Sequence, residues 1–86
     1  MQLEPEETKA IVTRLKRANG HLASVIRMLE EGSECEDALM QLAAVSKAIN
    51  RGGYALVATG LHHCLAEGGP ESVDAQKMEK LFLALA

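Results

Sequence analysis

Apolar residues recur with helical spacing along the first third of the chain. They return every three or four positions at Ile11, Leu15, Ala18, Leu22, Val25, Ile26 and Leu29. This period places them on one face of a helix. Pro5 suits a first helical turn, whereas Gly32 and Ser33 are typical of a helix end. The pattern predicts a helix from about residue 5 to about residue 31, preceded by a frayed tail over residues 1–4.

The middle of the chain shows a second apolar stripe. Its members are Leu39, Leu42, Val45, Ile49, Leu56 and Val57. Ser33 can cap this helix, and Glu36 three residues later completes the pattern of a capping box. The helix is expected to end near Glu67, ahead of a Gly-Gly-Pro sequence. An alternative is that Gly52 and Gly53 divide it into two helices, because glycine costs up to about 1 kcal/mol relative to alanine there.

The last segment predicts a short third helix, and the composition agrees with an all-α fold. Ser72 can cap this helix, and its apolar positions are Val73, Met78, Leu81, Phe82 and Leu85. The 86 residues are 48% hydrophobic but include one Tyr, one Phe and no Trp. We expect residues 1–86 to form one small domain with a modest aliphatic core. Oligomerisation is a natural way to enlarge such a core.

The two cysteines define the geometry of the second helix. Cys35 and Cys64 are 29 residues apart, which is close to eight turns and roughly 44 Å at about 1.5 Å per residue. They share a stripe but cannot meet within one straight helix. A second copy packed antiparallel, with its two-fold axis near Ile49 and Asn50, would bring Cys35 beside the other copy's Cys64, twice by symmetry. Gly53 and Gly60 lie on the same stripe and are expected at this subunit contact.

Charge is unevenly distributed along the sequence. The net charge is −3, which by itself argues against nucleic-acid binding. Residues 8–29, however, contain five Lys or Arg and no acid, and residues 38–66 contain Lys47, Arg51 and no acid. Such a run is often only a solvated face. Because the protein as a whole is acidic, these acid-free stretches favour contacts with DNA phosphates.

Several classes of function lack support in the sequence. It has no glycine-rich phosphate loop, paired carboxylates or nucleophile elbow, so we expect no enzyme and no obligatory cofactor. We find no targeting segment or membrane span, and a chain with two cysteines and no secretory features suggests a cytoplasmic protein with reduced thiols. His62 points away from the cysteine stripe, whereas His63 flanks it. His63 is therefore a candidate third ligand if the cysteines bind a metal.

A family resemblance rests on four features taken together. These are TRLKRANGHL in the first helix, the lone Cys35, QLAAVSKAI and the spacing to Cys64. Over residues 8–85 the sequence resembles the copper-sensing and nickel–cobalt-sensing repressors of the CsoR/RcnR family. The resemblance implies a three-helix protomer, an antiparallel dimer, a tetramer built from two dimers, and release of operator DNA on effector binding. Matching positions imply DNA contacts from Arg14, Lys16, Arg17, Lys47 and Arg51.

The resemblance also bears on the effector. Copper-sensing members bind Cu(I) through a Cys at the start of the second helix and a His-x3-Cys from the partner. Cys35 and Cys64 match the two cysteines, but the histidine position falls on Gly60. A cysteine pair without this imidazole resembles the persulfide-sensing branch, so reactive sulfur is favoured over Cu(I) at the same cysteines. An alternative of another class is a metal-storage protein that does not bind DNA.

Overall fold

The protein consists of three helices and no strands. The computed structural model describes residues 1–86, with α1 at Pro5–Glu30, α2 at Cys35–Glu67 and α3 at Val73–Leu85. The all-α prediction is confirmed, and α2 is one unbroken helix, so the alternative with a division at Gly52 and Gly53 is wrong. None of the three helices contains a stretch that could serve as a transmembrane segment.

The start of α2 differs from the predicted capping box. Gly32 has a φ of 78°, and Ser33 donates its backbone N–H to the Met28 carbonyl at 2.9 Å. This bond, with that of Gly32, closes α1 in a Schellman motif. Ser33 therefore belongs to the end of α1, and Glu34 becomes the N-cap of α2 without a side-chain hydrogen bond. The predicted pairing of Ser33 with Glu36 is wrong for this reason.

The other two helix starts have side-chain caps. Glu4 and Glu7 form a capping box at α1, in which the Glu4 backbone N–H donates to the Glu7 carboxylate at 3.1 Å. The Ser72 hydroxyl accepts from the Ala75 backbone N–H at 3.1 Å at the start of α3, as the sequence predicts. These caps satisfy backbone N–H groups that have no partner inside a helix.

Helix α2 is the central element, because α1 and α3 pack against it and not against each other. Its glycines allow this close packing. A Cβ on Gly52 would lie 2.8 Å from the Leu15 side chain of α1, and one on Gly60 would lie 2.8 Å from the Met78 side chain of α3. Gly53 likewise faces Leu85. The expectation that Gly53 and Gly60 lie at a subunit contact is corrected, since both face α3 of the same chain.

The protomer is thin and elongated. It measures 52 × 25 × 13 Å with a radius of gyration of 16.5 Å, against about 12 Å for a compact domain of this length. Only 11 of 86 residues are buried. The buried apolar side chains are Ile11, Ala18 and Val25 of α1, Ala38, Val45, Val57 and Cys64 of α2, and Ala75 and Met78 of α3. A core this small suits a chain that associates with other copies.

Much of the predicted apolar stripe lies on the surface of the protomer. Leu42, Ile49 and Leu56, spaced seven residues apart on α2, are 42%, 46% and 42% exposed. Ile26 and Leu29 of α1 are also exposed. The stripe is wider than the single layer of helices can cover, so part of it remains exposed within one chain. We call Leu42, Ile49 and Leu56 the α2 seam.

Candidate functional site

The two cysteines occupy opposite ends of α2. Cys35 is its first residue and is exposed, whereas Cys64 is buried and lies one turn before the end of the helix. Both thiols are free. Because α2 is continuous, its rise keeps them roughly 44 Å apart within one protomer. The structure therefore does not bring the two predicted ligands together in a single chain, in agreement with the geometry deduced from the sequence.

The surroundings of Cys64 include a residue that the sequence did not indicate. Cys64 packs in an apolar cluster with Val57, Ala75 and Met78. On its other side the Cys64 Sγ lies 3.0 Å from the Met1 Sδ. The expected frayed tail instead lies across the end of α2. No local pattern signals this contact, because 63 residues separate the two sulfur atoms along the chain.

His63 forms a hydrogen bond with Glu7 and lies within ion-pair distance of Glu67. Its Nδ1 lies 3.1 Å from Glu7 Oε2, and its Nε2 lies 3.7 Å from Glu67 Oε1. His62 is exposed, as predicted. Within one protomer no three His, Cys, Asp or Glu side chains gather where they could hold a metal ion. Any metal site that includes Cys35, Cys64 and His63 therefore needs a second copy of the chain.

The Glu7 carboxylate connects the start of α1 to the end of α2. Its pKa is lowered, first by the hydrogen bond from the Glu4 backbone N–H and then by its contact with His63. A carboxylate with a depressed folded-state pKa stabilises the fold above its unfolded pKa, and this contribution is lost as the pH falls through the folded value. The capping box and the junction between the two helices should therefore weaken together in acid.

We predict that Glu7→Gln removes part of the acid sensitivity of folding. Between about pH 6 and pH 3, the Tm of the wild type should fall more steeply than that of Glu7→Gln, because only the wild type has this carboxylate to protonate. Thermal unfolding followed by circular dichroism measures both slopes. Glu6→Gln is the matched control, since Glu6 is exposed and its side chain forms no hydrogen bond or ion pair. Equal slopes for Glu7→Gln and wild type would contradict the prediction.

The candidate DNA-binding side chains are exposed and unpaired. Arg14, Lys16 and Arg17 lie on α1, and Lys47 and Arg51 lie on α2. No Lys or Arg in the chain forms a salt bridge, because the ion pairs involve only His63 and the N-terminus. All these cations are free to contact an external anion.

A shallow depression on α1 adds a further cation to this set. It is lined by Lys9, Arg14 and Arg17, together with Glu6 and two small residues. Lys9 therefore lies on the same side of α1 as Arg14 and Arg17. The basic surface of α1 is therefore broader than the motif alone indicates.

Comparison with known proteins gives the family. A family model described as metal-sensitive transcriptional repressor matches residues 7–86. The chain belongs to this family. The resemblance to the CsoR/RcnR repressors is thereby confirmed, and it agrees with the expectation that the protein is not an enzyme. No solved structure matches the chain.

Curated members of the metal-sensitive repressor family are similar over most of the chain. The copper-sensing repressor CsoR of Mycobacterium ulcerans is 36% identical over 61 residues, covering 71% of this chain and 52% of the relative. RicR of Mycobacterium tuberculosis, also a copper-sensing repressor, is 39% identical over a region that covers 66% of this chain and 64% of the relative. YrkD of Bacillus subtilis, an uncharacterised protein, is 38% identical over a region that covers 62% of this chain and 84% of the relative. The chain thus spans about half to two thirds of the length of the two copper-sensing relatives.

Proposed function

We propose that this protein is a cytoplasmic transcriptional repressor that binds operator DNA and releases it when Cu(I) binds between two copies of the chain. The observation that carries the proposal is the α2 seam on an unbroken helix with a cysteine at each end. Within one chain these apolar residues remain 42–46% exposed. Burying them against a second copy contributes about 25 cal/mol for each Å² of apolar surface removed from water.

The seam is symmetric about Ile49. Leu42 lies seven residues before it and Leu56 seven residues after it. In an antiparallel pair with its two-fold axis at Ile49, Leu42 faces Leu56 of the second copy. Cys35, 14 residues before the axis, then comes opposite the other copy's Cys64, 15 residues after it. One rotation therefore buries the seam and assembles two cysteine pairs.

Assembly beyond the dimer is part of the same proposal. Ile26 and Leu29 of α1 and Leu81 and Leu83 of α3 remain exposed outside the seam. Pairing two dimers through such surfaces would give the tetramer that the family resemblance implies. A tetramer also repeats the basic side chains several times, which suits a chain with net charge −3 that binds DNA through local positive surface.

Two observations favour Cu(I) as the effector. First, the two copper-sensing relatives align with most of this chain. Second, the Met1 thioether lies beside the buried Cys64 thiol. Thiolates and thioethers are soft ligands that select Cu(I). Cu(I) binding would displace the thiol protons to solvent and hold the two subunits at a fixed spacing. A changed spacing would move the basic side chains of the two subunits relative to DNA.

A second candidate effector is reactive sulfur, the preference drawn from the sequence alone. One observation supports it, since Gly60 offers no imidazole where copper-sensing members have one. A polysulfide would transfer a sulfur atom to the exposed Cys35 thiolate. The Cys64 thiolate of the other copy would then attack the inner sulfur, forming a disulfide and expelling hydrosulfide. Unlike Cu(I) binding, this step leaves a covalent cross-link between subunits.

The deciding experiment treats the reduced protein, bound to a labelled fragment of its own promoter region, with Cu(I) or with a polysulfide. We expect one Cu(I) per cysteine pair to release the DNA, as measured by fluorescence anisotropy, with an unchanged subunit mass in denaturing mass spectrometry. Release by polysulfide alone, coincident with a reductant-sensitive Cys35–Cys64 cross-link, would establish the sulfur candidate instead. Cu(I) binding without any affinity for the promoter would indicate the metal-storage alternative.

A further inference from the structure

Sulfur atoms from three side chains gather around one turn of α2. The Met1 Sδ lies 3.0 Å from the Cys64 Sγ. Met1 also reaches Gly60, since its Cε lies 3.6 Å from the position of a Cβ on that residue. The Met78 Sδ lies 3.4 Å from the same position. The Met1 and Met78 side chains therefore pack against the Gly60 backbone, and the Met1 thioether also contacts the Cys64 thiol.

The Met1 side chain is held at this site. Met1 as a residue is 52% exposed, but its side chain is only 16% exposed, so its exposure comes from the main chain. Its α-amino group lies 4.0 Å from Asp74 Oδ2 on α3. A pocket next to Cys64 is lined by the tail and by the ends of α2 and α3. The thioether thus points inward, and the charged end of the tail stays near solvent.

The two sulfur atoms are close enough to reach one ion after a small outward shift. Metal–sulfur bonds in proteins are about 2.3 Å long, as for zinc, so two sulfurs can share an ion only within about 4.6 Å. The Met1–Cys64 separation of 3.0 Å lies inside this limit. Two sulfurs at about 120° around one ion would move apart to about 4 Å. A thioether is also neutral and soft. It can complete the coordination of Cu(I) between two thiolates without adding a third negative charge to a partly buried site.

We propose that the Met1 thioether is a Cu(I) ligand, acting with Cys64 of its own chain and with Cys35 of a second copy. This inference rests on the proposed function, because it requires Cu(I) at the cysteine pair. It assigns a role to the N-terminal tail, which would close over the ion. Met78 also contacts Gly60, where its side chain packs against α2.

The test compares single methionine variants. Met1→Leu is prepared from a fusion whose tag is cleaved directly before residue 1, and intact mass confirms the terminus. Met78→Leu tests the neighbouring thioether, and Met40→Leu is the matched control, because Met40 lies on α2 and is 71% exposed. Cu(I) affinity is measured anaerobically by competition with a chromophoric Cu(I) chelator. We expect Met1→Leu to bind Cu(I) about 10- to 100-fold more weakly, with Met40→Leu equal to wild type.

A direct structural readout accompanies the affinities. In selenomethionine-labelled protein loaded with Cu(I), X-ray absorption at the selenium edge should show copper as a neighbour in the wild type and lose it in Met1→Leu. Wild-type affinity in Met1→Leu, or loss of the selenium–copper signal only in Met78→Leu, would overturn the inference while leaving the proposed function intact. Failure of the wild type to bind Cu(I), or unchanged binding by Cys64→Ala, would overturn both.

Discussion

Charge reversal at Arg51 is expected to weaken operator binding by at least about 100-fold. Arg51 is exposed on α2 and has no carboxylate partner, so its guanidinium is available for a phosphate. A hydrogen bond to a charged group contributes about 1.5–3 kcal/mol, and an assembly with two-fold symmetry repeats the contact at least twice. Glutamate also adds repulsion. The combined loss is therefore about 3 kcal/mol or more.

Salt dependence separates this effect from misfolding. Each lost phosphate contact reduces the slope of log affinity against log salt by about 0.9, so Arg51→Glu should reduce it by about two. Anisotropy titrations over a range of salt concentrations give both quantities. Lys77→Glu is the matched control, because Lys77 is exposed on α3, away from the proposed DNA contacts. Equal affinities for Arg51→Glu and wild type, with unchanged helicity, would count against this DNA-binding surface.

Ile49→Glu is expected to abolish the dimer. Ile49 is the midpoint of the α2 seam and is 46% exposed in the protomer. In the proposed antiparallel pair its two copies meet at the two-fold axis. Because Ile49 is already about half buried within one chain, the substitution removes about 1 kcal/mol of apolar burial at each copy. It also places two like charges in a desolvated contact, at a further cost of several kcal/mol. The dissociation constant of the dimer should therefore rise by a factor of at least about 1000.

Light scattering coupled to size exclusion measures this change directly. The wild type should elute as a dimer or tetramer at micromolar concentration, and Ile49→Glu should elute as a monomer with low thermal stability. Met40→Glu is the matched control, since Met40 is an exposed apolar residue of the same helix, about 180° from Ile49 at 100° per residue. A monomeric wild type, or an Ile49→Glu variant that still assembles, would refute the antiparallel pairing.

The local features of the fold could be predicted from the sequence. A 3.6-residue apolar period predicted three helices, and the Gly-Gly-Pro sequence predicted the end of α2. The spacing of Cys35 and Cys64 excluded their meeting in one chain, because helix rise alone sets their separation. Where a signal for the end of one helix lies beside a signal for the start of the next, the sequence was harder to interpret. The Ser33 side chain can cap a helix, but in the structure the Ser33 backbone N–H takes part in the Schellman motif that closes α1.

Contacts between distant segments were decided only by the tertiary structure. Periodicity shows that α2 has an apolar face, but not which part of that face α1 and α3 cover and which part, the α2 seam, they leave exposed. The contact of Met1 with Cys64 depends on the packing of α1 along α2, which brings the tail to the far end of that helix. The sequence by itself therefore determined the helices, the family and the cysteine geometry. The tertiary structure decided the surroundings of Cys64, because burial and non-local contacts depend on how helices pack.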